Sequence, residues 1–427
     1  MRQLVCVACS SILLVVVGGC QEPPREVREI SVIDGDSLGI STVTISGSVN
    51  SLPVWSLAET PLLEISGDAE PFLGRVGQVA FLGDDGLLID DAQSAQLRAF
   101  AGDGTVLRLL AGPGDGPGEI RALSQLSSTS GDTIYSFDVR QERITVFAPD
   151  GTLLTTIPIR PGSAGPGTFA RRAWGLGSDR YLVQGEALAT EDSGPYSDPP
   201  QRVVRDEVIG LLGEEGTEVH SPLRFPGSYK VRHAGGSAGS PFSNLPFVAV
   251  NADRILHGSG LSYELVVRDL DLQPTLVIRW ADWLEPLTAA RLEDLRAPMA
   301  ASLHELRAIA PERADGLMDA LFHPAVVPEA LPALGTALLD ENGRIWVQRF
   351  RPSEDLRFAL TGSHHQWQQE DLWHVLDADG HPLAQIQLPP NTRLLAVRHD
   401  RVAVVTRDQV DVEHVRVLAI GVDSTAR

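Results

Sequence analysis

Residues 76–110 read VGQVAFLGDDGLLIDDAQSAQLRAFAGDGTVLRLL, and residues 123–157 read LSQLSSTSGDTIYSFDVRQERITVFAPDGTLLTTI. Sliding the first stretch forward by 47 residues lays it on the second without a gap. Gln78 falls on Gln125, Asp85 on Asp132, Asp91 on Asp138, Phe100 on Phe147, and Asp103-Gly104-Thr105 on Asp150-Gly151-Thr152. Each copy runs through a short apolar stretch, an acidic or glycine turn, a second apolar run, a loop opening on Asp91 or Asp138, an alternating run, an Asp-Gly turn and a final strand. Period-two alternation broken by tight turns predicts four antiparallel strands per copy, and Asp-Gly suits the two-residue hairpin because its turn needs positive φ. A four-stranded unit of this size, repeated in tandem, is a propeller blade.

Weaker copies follow. Residues 203–219 carry a third outer hairpin around Gly213-Glu214-Glu215-Gly216, residues 247–280 a fourth blade, and residues 337–388 a fifth with Asp379-Gly380 at the hairpin. Residues 394–420 supply three further strands. That blade is one strand short, and an open edge exposes unpaired backbone groups, so residues 61–66 are expected to complete it and close the ring. The expected fold is all-β, a six-bladed β-propeller closed by an N-terminal strand and spanning residues 53–427.

Residues 286–321 break the pattern. Leu287, Ala290, Leu292, Leu295, Met299, Leu303, Leu306, Ile309, Leu317 and Leu321 recur at helical spacing, with Pro298 and Pro311 as kinks or breaks. This helical insertion between blades four and five either caps the channel or packs its apolar stripe on neighbouring blades. Two other connections, residues 186–201 and 225–244, are rich in Pro, Gly and Ser and read as mobile loops.

The N-terminus reads as an address. Met1-Arg2 precedes an apolar run from Leu4 to Val17, too short to span a bilayer, and Val17-Gly18-Gly19-Cys20 ends it. Cys6, Cys9 and Cys20 are the only cysteines, so the body contains no disulfide, cysteine nucleophile or cysteine metal site. Residues 20–52, with Pro23-Pro24 and scattered charge, read as a tether, although residues 42–45 alternate as a strand would. The formal charge of −21 argues against nucleic acid and anionic membrane surfaces as partners, and Lys230 is the sole lysine.

Asp36-Ser37-Leu38-Gly39-Ile40, Val54-Trp55-Ser56-Leu57, Phe72-Leu73-Gly74-Arg75-Val76-Gly77, the junction Gly112-Pro113-Gly114-Asp115-Gly116-Pro117-Gly118-Glu119-Ile120, and Asn342-Gly343-Arg344-Ile345-Trp346-Val347 together resemble the bacterial six-bladed β-propeller lipoproteins, relatives of the NHL-repeat group. The N-terminal stretch resembles their signal and lipobox. The resemblance implies removal of residues 1–19, acylation of Cys20, a lipid anchor in the membrane, and a place in the cell envelope. Gln21, rather than Asp, resembles the pattern sorted to the outer membrane.

Candidate chemistry is sparse. The Gly112–Glu119 run lacks the Lys-Ser/Thr pair of a phosphate loop and reads as a tight interblade link, with Glu119 and Arg121 placed to pair across blades. Asp91 and Asp138 recur at one repeat position; they read as turn-capping groups, the alternative being a calcium ring drawn from several blades. His220, His257, His323 and His374 form no metal-ligand spacing, and His364-His365 lies in an exposed stretch. Gly235-Gly236-Ser237-Ala238-Gly239 matches the nucleophile-elbow pattern in letters only. Arg171, Arg172 and Trp174 open the third blade's inner strand, where a positive pair beside an aromatic suits an anionic or glycan ligand; an interblade ion pair with a buried tryptophan is the structural alternative. The expectation is a monomeric, non-enzymatic binding or scaffold module for an envelope protein, peptide or glycan, with no cofactor. The other class is a metal-dependent hydrolase or lyase.

Overall fold

The computed structural model describes residues 29–129, 132–187, 198–216, 222–243, 246–281, 283–351 and 371–422. Residues 1–19, Cys20, His220 and His364-His365 lie outside them, as does most of the connection 186–201. Among the described residues no helix is long and apolar enough to cross a membrane.

The chain opens with β1 (Ser31–Ser37) and β2 (Ile40–Ser46), then β3 (Val54–Leu57) and β4 (Leu63–Ile65). The first blade is β5 (Val76–Leu82), β6 (Gly86–Asp91), β7 (Gln96–Phe100) and β8 (Val106–Ala111), and its 47-residue copy is β9 (Leu123–Ser128), β10 (Ile134–Asp138), β11 (Arg143–Phe147) and β12 (Leu153–Pro158). Both are up-and-down antiparallel sheets. Both Asp-Gly turns form, but in longer loops than the two-residue hairpin expected: the Ala101 and Ala148 amides donate to the Thr105 and Thr152 carbonyls, Gly104 and Gly151 take φ of 84° and 83° while the aspartates do not turn positive, and Asp103 and Asp150 each accept from the amide two residues on at 2.9 Å.

Blade three comprises β13 (Thr168–Gly177), β14 (Arg180–Ala187), β15 (Gln201–Leu212), β16 (Leu223–His233) and β17 (Gly236–Gly239). Residues 225–244, expected as a loop, therefore supply its fourth strand and a fifth. Pro226 is accommodated because it falls where the pairing of β15 with β16 shifts register between Val204 and Asp206. Blade four is β18 (Phe247–Val250), β19 (Ile255–Gly258), β20 (Glu264–Arg268) and β21 (Pro274–Trp280).

Next come helices α1 (Ala289–Ser302), α2 (His304–Ile309) and α3 (Pro311–Leu321). Pro311 opens α3, where its missing N–H costs no helical bond, whereas α1 runs through Pro298 without a break. The helices share a buried cluster with Val231, Phe242 and Phe350, so the insertion packs its apolar stripe against blades three and five. Blade five is β22 (Leu334–Leu339), β23 (Ile345–Arg349), β24 (Asp371–Leu376) and β25 (Pro382–Leu388); the last group is β26 (Thr392–Arg398), β27 (Arg401–Arg407) and β28 (Glu413–Val422).

The early strands finish the sheets. β4 pairs antiparallel with β28 through Leu63↔Val417 and Ile65↔Val415, the closing strand expected from residues 61–66. β3 adds a link not foreseen, pairing β28 on one side and β25 on the other. Within the segment read as a tether, β1 and β2 form a hairpin on the outer edge of blade four, where β2 pairs parallel with β21 and buries Val43 and Ile45.

Alternate faces of each blade bury against its neighbours. Leu88, Leu97, Leu126 and Ile134 fill the seam between blades one and two, and Leu63, Ile65, Leu87, Ile89, Val405 and Val415 fill the seam where the ring closes. Closure is reinforced by polar contacts. The Val76 amide donates to Glu413 Oε2 at 2.6 Å, Arg393 Nη2 donates to the Val76 carbonyl at 2.6 Å, and Arg401 Nη1 lies 2.7 Å from Asp85 Oδ1. The inner strands are tied at matching levels by the Ser128 hydroxyl donating to the Phe81 carbonyl and the Ser124 hydroxyl to the Arg171 carbonyl.

Candidate functional site

The inner strands of the ring are β5, β9, β13, β18, β22 and β26. The chain enters each of them at the same end, which is also where the second strand of each blade finishes. Arginines gather there: Arg171 and Arg172 on β13, Arg393 on β26, Arg75 just before β5, Arg351 just after β23 and Arg407 at the end of β27.

In blade three, Arg171 is neutralised. Its Nη2 lies 2.6 Å from Glu207 Oε2 and its Nη1 3.3 Å from Glu186 Oε2, while Glu186 also pairs with Arg205. Glu207 is fully buried and takes a second bond from Gln184 Nε2 at 2.7 Å. Burial pushes its carboxyl up to about 7, although Arg171 and Gln184 pull the other way. Arg172 differs: its backbone belongs to the ladder with β14, but among the described residues its guanidinium makes no hydrogen bond or ion pair. Burial pushes its guanidinium pKa down, Arg171 adds to that, and Glu207 opposes it. Lys230 is shifted down as well, by burial first and then by Arg205.

Across the ring, burial brings Arg393 down to about 10; Glu413 opposes that shift, and Arg407, Arg351 and Arg75 reinforce it. Arg407 Nη2 pairs with Glu413 Oε1 at 2.7 Å. Asp371 is held by Gln348 at 2.9 and 2.8 Å and by Trp373 Nε1 at 3.0 Å, with Arg351 at 3.8 Å, and burial raises its pKa. Six arginines thus meet at this mouth in a chain whose net charge is −21, facing Glu186, Glu207, Asp371 and Glu413 and the Asp90, Asp91 and Asp138 that close β6 and β10. Guanidiniums held in a partly dry mouth bind carboxylate or phosphate groups through charge-assisted, often bidentate bonds.

The structure brings together Arg171 and Arg172 of the expected residues and separates the rest. Trp174 is buried in the seam between blades three and four, where no ligand at the mouth reaches it. Glu119 turns back into its own loop, accepting from the Gly116 amide at 2.6 Å, so its carboxylate fills the glycine-rich cradle that an anion would need. Arg121 pairs with Asp115 at the surface and does not reach Glu119. The loop is clamped from blade two, Arg143 Nη2 donating to the carbonyls of Gly116 and Glu119 at 2.6 and 2.7 Å. Sequence reasoning missed Arg75, Arg351, Arg393, Arg407 and Glu207. A usable signal was present, since Arg75, Arg121 and Arg393 each stand beside the start of an inner strand and Arg171 three residues into one.

Asp91 and Asp138 cap turns. Asp138 accepts from the amides of Arg121, Ala122, Arg140 and Gln141, and Asp91 from the amides of Arg75 and Gln93 and the Ser94 hydroxyl. Their oxygens are consumed locally. His257 accepts from Arg268 Nε at 2.9 Å, and His374 is enclosed by Tyr263, Trp280 and Trp283. Gly236–Gly239 form an edge strand, so Ser237 sits on no nucleophile elbow. Among the described residues no three His, Cys, Asp or Glu side chains are grouped so as to hold a metal ion.

No family model and no curated protein matches the chain. Among solved structures it is similar to a Bacteroides fragilis protein named as exported, with TM-score 0.51 at 9% identity over 90% of this chain and 100% of that one. It is also similar to a DUF4221 member from Bacteroides vulgatus (TM-score 0.45, 11% identity, 92% of this chain and 99% of that one). A third is a calcium-binding protein, regucalcin, from Agrobacterium tumefaciens (TM-score 0.37, 12% identity, 86% and 96%). Likeness at such identities speaks to fold alone. The chain is a β-propeller.

Proposed function

We propose that the chain is an exported, envelope-anchored propeller that acts as a non-enzymatic binding module, receiving an anionic group of its ligand at the arginine-lined mouth of the channel. The observation that carries this reading is Arg172: it stands on an innermost strand beside a neutralised Arg171 and makes no ion pair among the described residues. Placing an unpaired guanidinium in a partly buried site is unfavourable until an anion joins it. Export is supported by the signal-like residues 1–19. Anchoring rests on the lipobox-like run before Cys20, and Cys20→Ser is expected to shift the protein from the membrane to the soluble fraction.

The ligand reading is tested by calorimetric titration with a galacturonic acid tetramer and its neutral galactose counterpart. The acidic tetramer is expected to bind with an affinity that falls as salt rises, and Arg172→Gln to weaken it at least tenfold with a thermal midpoint no lower than the parent's. Equal binding by the variant, or no preference for the acidic tetramer, would refute the reading.

A further inference from the structure

At the edge of blade three farthest from the axis, β17 pairs with β16 from Lys230↔Gly239 to His233↔Gly236, and the Ser240 amide donates to the Tyr229 carbonyl at 3.0 Å. Bonded and non-bonded pairs alternate along an antiparallel ladder, so this register turns the backbone N–H and C=O of Ser237 and Gly239 away from β16. Among the described residues no strand pairs with that side. Facing it is α3, and between them runs a groove of about 640 Å³.

Two features fit the groove to a guest backbone. The strand wall consists of Gly236, Ser237 and Ala238, whose small side chains leave the edge approachable, and Gly239 continues that edge just beyond the groove. The helix wall contains Gly316, in the interior of α3. Glycine there costs about 1 kcal/mol relative to alanine, yet a Cβ at this position meets nothing within 4 Å. No packing inside the chain requires the glycine; what it leaves open is the groove. The charge of the lining selects the guest: Asp198, Glu312 and Asp319 stand against Arg313. Asp319 is shared with Arg296 at 3.0 Å, whereas Glu312 is exposed.

We propose that β17 and α3 form a strand-addition site for an extended, lysine- or arginine-bearing peptide segment of a partner protein. The guest pairs with the outward groups of Ser237 and Gly239, as strand-addition modules do, and its basic side chains meet Glu312 and Asp198. This inference does not rest on the reading of the axial mouth, and either can fail alone.

The probe is a fluorescent octapeptide of alternating lysine and valine, with a glutamate–valine octapeptide as control, followed by anisotropy on the full chain. The lysine peptide is expected to saturate, to bind at least tenfold more tightly than the control, and to slow hydrogen exchange at the Ser237 and Gly239 amides. Gly316→Trp fills the groove, and Ser237→Pro removes an outward donor without touching the ladder to β16; each is expected to weaken binding at least tenfold. If either variant fails to fold, Glu312→Arg at the surface and the exchange measurement on the parent chain decide the matter. Absent binding, unchanged affinity in the folded variants, or unprotected amides overturns the proposal. So does concentration-dependent self-association abolished by Ser237→Pro, which would assign the edge to a second copy.

Discussion

Blades two and three both hold a buried carboxylate near the mouth of the ring, and they treat it in opposite ways. Asp138 accepts four backbone amides, and its counterpart Asp91 is held by two amides and a hydroxyl. Glu207 has side-chain partners instead, Arg171 and Gln184, and is pushed up to about 7. In the regular blades the repeated acid is part of the turn and has nothing left to give a ligand. In the irregular blade the polar groups answer to one another, and Arg172 is left over. Recurrence in a tandem array therefore marks folding, while the departure from it marks the candidate site.

The sharpest way to break this contrast is Asp138→Ala, which strands four amides. It is expected to cost about 3 kcal/mol in urea unfolding; a loss below 1 kcal/mol would mean the cap is dispensable. Next is His374, enclosed by aromatic rings with neither ring nitrogen hydrogen-bonded among the described residues, whose pKa burial pushes down to about 3. The unfolded chain then binds the proton first, so stability is present above about pH 6.5 and lost as pH falls below it, by up to about 1.4 kcal/mol per pH unit. His374→Phe is expected to flatten that slope between pH 6.5 and 5, read by denaturation at both values.

Asp90 carries the reverse sign. Burial, then the neighbouring Asp91 charge, pushes it up to about 7, against the Gln78 amide. The native state holds its proton from about pH 4 to 7, and stability drains away as pH rises through that window. Asp90→Asn is expected to gain about 1 kcal/mol at pH 8 and nothing at pH 4; an equal effect at both would dismiss the buried charge as its cause. Smallest is Arg121→Ala, whose pair with Asp115 is exposed, and the denaturation midpoint is expected not to move measurably.

The regular part of this contrast was legible because 47-residue spacing and Asp-Gly turns are local signals. The closing strand was legible for a different reason, since a ring one strand short must find it. Less visible was β3, whose four residues carry too little alternation to reveal two partners. Blade three misled because Pro226-Gly227 and the glycines of β17 look like loop composition, while a register shift and a small-residue edge let them be strand. Trp174 misled for a related reason. The β13 ladder skips Arg171, which slips the inward and outward positions by one, and Trp174 falls into the seam. The wider arginine mouth could not be seen, because its members come from strands hundreds of residues apart.

The joint of β28 with β3 and β4 has a consequence for biogenesis. Partners separated by more than 340 residues cannot meet until β28 has been made, so the circle stays unfastened while every blade before it is synthesised. Under the export proposed above, that delay keeps the ring open until the chain has crossed a membrane, and the ten-residue β28 acts as the clasp.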